Sequence, residues 1–553
     1  MLKTGIVSSL ENCFIDSRIE DFKTIKKITA LKNERISFQF LVDMRDENDQ
    51  NSCMLSPHIE GEFAKYATVR EVRSVPVSLP ALPGIEHDNY LRTQPGLFPD
   101  LLHPPVYNGS FFLYKGQLKS LWIEIDLREV QGEIKAGESS LKISVKNEKM
   151  CCESEVTIEI IDALLPRQEL LLTQWFYCDC IAQYYHCEVW SERHWEIIEN
   201  FAKVAKSNGI NLLLTPVFTP PLDTEIGGER LTTQLVEVTK MGEKYLFGFD
   251  LLDRWIDMCD RIGIEYFEIS HFFTQWGAKH APKVMATVDG EYKRIFGWDT
   301  VATSDEYVTF IRSFISAFLE HMKARDDDKR CFFHISDEPC AEHLPFYKAA
   351  KNSIADLLEG YTIMDALSNY EFYCNGVVNT PIPCNDHIKP FIEGGVPNLW
   401  TYYCNAQWKD VSNRFIAMPS FRNRSIGMQM YKYDIVGFLH WGYNYYNSFK
   451  SFGIVDPCGD TCGYDWVPGG DTFSVYPSTD GGALESLRIV VFYDALQDMR
   501  AMKLAESFCG KEKVVETIEK AFGGEIAFDA CARSSEQMQA VRDAVNELIK
   551  LNV

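Results

Sequence analysis

The sequence is short of positive charge. Its 55 Lys and Arg stand against 79 Asp and Glu, a net charge of -24. No basic block occurs, so it lacks the footprint of a nucleic-acid binder and the attraction an anionic membrane surface requires. No apolar run reaches the roughly 18 residues of a membrane-spanning helix. The opening MLKTGIVSSLENCF holds no apolar stretch of signal-peptide length, and Glu11 interrupts it early. The 17 cysteines are odd in number and scattered, several inside apolar runs as Cys331 and Cys404 are. That is the usage of a reduced compartment, and a cytoplasmic protein is expected. The chain has no G-x-G-x-x-G after a strand, no P-loop and no His-Glu-x-x-His. Cys178-x-Cys180 and Cys458-x3-Cys462 lack a second pair at zinc-ribbon spacing. No metal, nucleotide or other cofactor is expected. Internal repeats and low-complexity segments are also missing.

Hydrophobic residues make up 46 % of the chain and charged residues 24 %, the balance of a folded globular protein. At about 150 residues per domain, 553 residues allow three or four units. Aromatics reach 13 %. Such rings either stack on flat ligand faces such as those of sugars or fill a large core.

Three rhythms follow one another. Over 1–167, RISFQFLVDM (35–44), SLWIEIDLREV (120–130), SLKISVKNE (140–148) and ESEVTIEIIDA (153–163) alternate apolar and polar residues. Short alternating strands between turns predict an antiparallel β-sandwich. The segment 90–105 has four prolines, cannot be a central strand and reads as an ordered loop. Over 168–485, apolar strand-like runs alternate with helical stretches. The runs begin at Leu170, Ile210, Ile264, Arg330, Tyr361, Gly376, Asn398 and Ile435. Ser191 and Ser304 stand as N-caps, and Gly209 as a helix stop. Eight strands with intervening helices predict a (β/α)8 TIM-like barrel. A doubly wound open sheet is the alternative, and the count of eight favours the barrel. From Ser486 to the end the pattern is helical.

In such barrels chemistry sits at the C-terminal strand ends. The fourth run ends HISDEP, placing Asp337 and Glu338 side by side before Pro339. Strand alternation relaxes at a strand end, and the proline forces a turn, so both carboxylates can face a ligand. Two close negative charges raise one proton affinity, the property of a general acid near neutral pH. Capping the next helix is the alternative role. Other polar or aromatic residues at strand ends are Trp175, His271, Asn369, Tyr402, Tyr403, Trp441 and Asn444, each also explicable by packing or capping. Tyr402 and Trp441 are the strongest of these. Asp299, Asp365 and Asp434 are expected in solvated or capping roles. The loop GDTFSVYPSTDGG (470–482) is a candidate rim.

HISDEP resembles the Asp-Glu pair of glycoside hydrolase family 123, the β-N-acetylgalactosaminidases. TQWFYCDC (173–180), PGLFPDLLHPP (95–105) and HWEIIENFAKVAKSNGINLLLTPVFTPPLDT (194–224) resemble that family too. So do HWGYNYYN (440–447) and SLRIVVFYDALQDM (486–499). The resemblance spans nearly the whole chain. It implies a retaining mechanism in which the substrate's 2-acetamido oxygen is the nucleophile, an exception to the two-carboxylate scheme. Glu338 would be the acid and base. An ionised Asp337 would hold the acetamide N–H and favour protonated Glu338. A Tyr hydroxyl would orient the acetamide, and Trp rings would cage the sugar. The implied partner is an oligosaccharide or glycoside. A glycosidase for another sugar and a non-catalytic carbohydrate-binding protein are the alternatives.

Overall fold

The computed structural model describes residues 2–45 and 51–553. Its first ten strands are β1 (Lys3–Ser8), β2 (Lys27–Leu31), β3 (Arg35–Asp43), β4 (Ser52–Gly61) and β5 (Ala67–Val77), then β6 (Gly96–His103), β7 (Phe111–Tyr114), β8 (Leu118–Asp126), β9 (Gly137–Lys146) and β10 (Cys151–Ile161). They make two five-stranded sheets, β1-β3-β8-β5-β6 and β2-β10-β9-β4-β7. Period-two alternation puts Phe38 and Phe40 of β3 opposite Ile123 and Leu121 of β8. These pack with Ile143 and Ile158 of the other sheet in one core. Every pair is antiparallel except β2 with β10, which departs from a wholly antiparallel arrangement.

The proline-rich segment is corrected. Residues 96–103 are strand β6, not loop, paired with β5 at the sheet edge. Pro99 has no N–H to give a further neighbour, and only an edge tolerates that. The register shifts beside it, between Arg73 and Ser74. Buried Asp100 fastens the strand to the C-terminal region by accepting from Nε and Nη2 of Arg488, each at 3.0 Å.

The next strands are β11 (Leu171–Gln174), β12 (Leu212–Thr215), β13 (Glu237–Met241), β14 (Lys244–Gly248), β15 (Tyr266–Ile269), β16 (Val284–Val288) and β17 (Glu291–Phe296). After them come β18 (Cys331–Phe333), β19 (Thr362–Ala366), β20 (Thr380–Ile382), β21 (Trp400–Tyr402) and β22 (Gly437–His440). Eight of these run parallel, in the orders β12-β15-β18-β19-β20 and β11-β22-β21. At one seam Asn211 N donates to Leu172 O at 3.2 Å; at the other Cys384 bridges Tyr402 in parallel. β12 and β22 are buried along their whole length, as parallel strands covered on both faces are. All eight predicted runs are strands here. The sequence rhythm did not reveal β13, β14, β16 and β17, which form a separate four-stranded sheet.

Helices occupy the connections. Ser191 and Ser304 cap helices Glu192–Ser207 and Asp305–Ala324, accepting from His194 N and Tyr307 N. Gly209 has φ +86° just beyond the first of these, the left-handed turn glycine adopts without strain. Helices Leu487–Cys509, Lys511–Phe522 and Ser535–Lys550 follow. Their apolar residues, Val490, Phe492, Ile518 and Val545 among them, share one core with the parallel strands. No helix among the described residues is long and apolar enough to cross a membrane.

Candidate active site

A cavity enclosing about 580 Å³, part of it open solvent, lies at the C-terminal ends of the parallel strands. Trp175, Asp223, Gln275, Trp276, Asp337, Glu338, Tyr402, Asn405, Trp441 and Trp466 line it, with Ala366, Cys404 and Leu439. Its walls hold three carboxyl groups and no Lys, Arg or His.

HISDEP leaves β18 directly into this cavity. The turn is built on the backbone: Glu338 N donates to Ala366 O at 3.0 Å, and Trp276 N to Asp337 O at 2.9 Å. Glu338 has φ +42°, Trp276 +59° and Asp223 +48°. A left-handed backbone is unfavourable for non-glycine residues. Three such residues around one cavity mark a region where neighbours impose the conformation.

The two carboxylates differ in setting. Glu338 is exposed, and its Oε1 accepts from the Tyr402 hydroxyl at 2.7 Å. Asp337 is buried, and its Oδ1 has no hydrogen-bond partner. Burial, then the charges of Glu338 and Asp223, push Asp337 well above the usual carboxylate range. Sequence reasoning assigned ionisation to Asp337; the structure puts the raised proton affinity on it, because it is the member withdrawn from water. His334 opposes this from below.

That histidine anchors a buried network. Its Nε2 meets Glu268 Oε1 at 2.7 Å and its Nδ1 meets Asp365 Oδ1 at 3.2 Å. Burial disfavours its charge, but the two carboxylates outweigh burial and lift it to about 9. Glu268 also accepts from Trp175 Nε1 at 2.8 Å and from the Thr173 hydroxyl. Asp365, expected in a solvated or capping role, is fully buried. It accepts from the Tyr347 hydroxyl and from the N–H groups of Ile335 and Ser336 at 3.1 and 3.3 Å. Asp299 and Asp434 are exposed and paired, with Arg294 and with Lys511.

Of the nine sequence candidates, Asp337, Glu338, Trp175, Tyr402 and Trp441 meet at the cavity. The other four are not on its wall. His271 is stacked beneath it on His334, centroids 4.2 Å apart and planes at 19°. Asn369 accepts from Glu371 N as the cap of helix Tyr370–Cys374. Tyr403 donates to Asn423 Oδ1 at 3.0 Å in the core. Asn444 pairs with the backbone of Tyr177 in both directions, at 2.8 and 3.1 Å. Each places structure around the site instead of lining it.

His271, His334 and Asp365 bring possible metal-ligand atoms within 4.8 Å of one another. They do not form a coordination set. Both His334 nitrogens are already engaged, and face-to-face imidazoles send their in-plane lone pairs parallel instead of converging.

Sequence reasoning missed Asp223, Gln275, Trp276, Asn405 and Trp466. Asp223, Gln275, Trp276 and Trp466 lie on long connections, whereas Asn405 stands three residues past the end of β21; for Asp223 the one cue was its place in TPPLDT after β12. The segment 470–482, expected to be a loop at the rim, instead holds a strand, Val475–Pro477, paired antiparallel with Ala483–Glu485, and supports the wall from behind. Trp441 Nε1 donates to Asp471 Oδ2 at 2.9 Å. Burial, partly offset by Arg414, holds Asp471 at about 7. Gly442 lets this segment approach: a Cβ there would lie 2.4 Å from Thr472 O. Gly442→Ala is expected to lower the urea midpoint and weaken sugar binding together, because backbone must move away from Trp441. An unchanged midpoint would contradict this packing.

Tyr402→Phe tests the hydroxyl contact to Glu338. A hydrogen bond to a charged group is worth about 1.5–3 kcal/mol, so kcat is expected to fall about 10- to 150-fold with the fold intact. A wild-type rate would show that Tyr402 does not position Glu338.

The family model for the glycoside hydrolase 123 catalytic domain matches residues 175–505, more than half of the chain. A solved family 123 glycoside hydrolase from Clostridium perfringens, studied for glycolipid glycan hydrolysis, is similar over 99 % of this chain and 97 % of its own. The TM-score is 0.75 at 14 % identity. A β-glucuronidase from Parabacteroides merdae aligns with 90 % of this chain and 51 % of its own at 10 % identity, with a TM-score of only 0.28. No curated protein sequence matches the chain. With the family model seated on the segment that carries the carboxylate cavity, the chain belongs to glycoside hydrolase family 123 and is a glycosidase.

Proposed function

We propose that this glycosidase removes terminal β-linked N-acetylhexosamine, N-acetylgalactosamine foremost, by a retaining, substrate-assisted mechanism. The observation that carries the reading is Asp337 Oδ1, a buried acceptor on the cavity wall with no donor. A buried unsatisfied acceptor is costly, and a 2-acetamido N–H supplies the missing donor.

The acetamide carbonyl oxygen then attacks C1. The bond from C1 to the leaving oxygen breaks, and Glu338 gives that oxygen its proton. The ionised form of Asp337 balances the positive charge of the oxazolinium, and the His334 cation beneath favours that form against burial. Glu338 next takes a proton from water. The water oxygen bonds C1 as the oxazolinium C1–O bond opens, so two inversions give retention. Trp175 and Trp441 supply flat faces for the ring and the acetyl methyl, and Tyr402 holds Glu338.

The architecture behind this reading is a β-sandwich over 1–167, a (β/α)8 barrel over 168–485 and a helical segment over 486–553. The parallel order of the eight strands and the contacts at both seams support the barrel. The sandwich braces the site through Asp100 and Arg488, whose helix follows the loop bearing Asp471. A cytoplasmic location, taken from cysteine usage, would make imported oligosaccharides the substrate source; recovery of the native protein from a secreted fraction would end that part.

The test is hydrolysis of paired nitrophenyl glycosides that differ only in the 2-acetamido group. Cleavage confined to the acetamido sugars is expected. Equal cleavage of the plain glycosides would require a protein nucleophile and overturn the mechanism.

A further inference from the structure

We propose that Asp223 binds a hydroxyl group of the sugar being cleaved and so sets which hexosaminide the site accepts. This rests on the cavity being the subsite of that sugar.

Asp223 is the third carboxyl group of the cavity wall. Its backbone is held from both sides: its N–H donates to Gln275 Oε1 at 2.7 Å, and its carbonyl accepts from the Ser451 and Tyr445 hydroxyls at 2.7 and 3.2 Å. Gln275 also donates to Thr224 O at 3.2 Å. These contacts impose the left-handed φ of +48°. They engage only the backbone. No donor among the described residues hydrogen-bonds the carboxylate. The nearby Arg230 is spent elsewhere, with Nε and Nη2 on Asp179 at 2.8 and 2.9 Å and Nη1 on Leu222 O at 3.0 Å.

A strained, braced backbone that presents a half-buried, unpaired carboxyl into a cavity suits a ligand donor. No cation lines the cavity, so an anionic sugar would find no counter-charge and three like charges. The fitting ligand is an uncharged, hydroxyl-rich sugar that donates to Asp223. Burial, opposed by Arg230 and reinforced by Glu338, holds Asp223 at about 7. Around neutral pH it can therefore accept from one hydroxyl in its ionised form or exchange donor and acceptor roles when neutral.

The experiment is a cycle of enzyme and substrate changes. Wild type and Asp223→Asn are assayed on the nitrophenyl glycoside that wild type cleaves, with or without an acetamido group, and on its 3-, 4- and 6-deoxy analogues. Asparagine keeps the shape and tolerates left-handed backbone, so the melting temperature should not move. On the parent glycoside Asp223→Asn is expected to lose about 10- to 150-fold in kcat/KM. One deoxy analogue should be slower with wild type by a similar factor and show no further loss with the variant. That analogue names the hydroxyl. A parent rate unchanged by Asp223→Asn, or an equal loss on every analogue, would overturn the proposal. Because the series runs on whichever glycoside is cleaved, it stands or falls separately from substrate assistance.

Discussion

Glu338→Gln should lower kcat on a 2-acetamido hexosaminide by about 10²- to 10⁴-fold, the span of general acid–base catalysis. The loss should be larger for a sugar leaving group than for nitrophenolate, because a poor leaving group needs the proton more. Asp337→Asn should lose a comparable factor by another route. In the proposed mechanism it would remove the acceptor for the acetamide N–H and the charge that balances the oxazolinium, so its loss should depend little on the leaving group. Steady-state rates on nitrophenyl and disaccharide substrates separate the two. The geometry supports this division. Glu338 is exposed at the mouth with Tyr402 on its Oε1, where the proposed mechanism needs the acid that meets the aglycone oxygen. Asp337 is buried with an unmet acceptor, where an acetamide fits. A Glu338→Gln variant that cleaves the disaccharide at the wild-type rate would remove Glu338 from the reaction.

The second large effect is on stability. Glu268→Ala should destabilise the fold by about 3–5 kcal/mol, the usual result of leaving one partner of a buried ion pair alone. Glu268 is fully buried and serves His334, Trp175 and Thr173 together. Urea denaturation of wild type and variant measures the change, and a shift under about 1 kcal/mol would show that the network relaxes without it. The same network has a pH signature. His334 rises from 6.5 to about 9 on folding. A raised folded value means that folding takes up a proton between those pH values. Its stabilising contribution is therefore complete below pH 6.5 and fades as the pH climbs towards 9. It amounts to something on the order of 3 kcal/mol. His334→Gln should flatten that part of the stability curve.

Much of the site is legible in the amino-acid sequence, for physical reasons. Apolar runs of four to eight residues bounded by caps locate the parallel strands, and strand ends are where such units place chemistry. That logic reaches Asp337, Glu338, Trp175, Tyr402 and Trp441. It over-reaches at Tyr403 and Asn444, one residue beyond a neighbour or a short turn past a strand. At such positions a small change in direction separates cavity from core. It also misses Asp223 and Trp466, since a long connection carries no periodicity to say where its side chains end. The proline-rich strand β6 escapes it because prolines argue against a strand until its place at a sheet edge is known.

By itself, the sequence determined the order of the three rhythms, the eight parallel strands and the acidic pair after the fourth. These depend on local spacing and polarity, which neighbours far along the chain do not alter. Tertiary structure alone decided that Asp337 is withdrawn from water while Glu338 faces it. It also brought His334, Glu268 and Asp365 into one buried network, and Asp223 to the same cavity from 114 residues earlier in the chain. The reason is that desolvation and charge coupling depend on distance in space, and no pattern along the chain records which distant groups will share a low-dielectric interior.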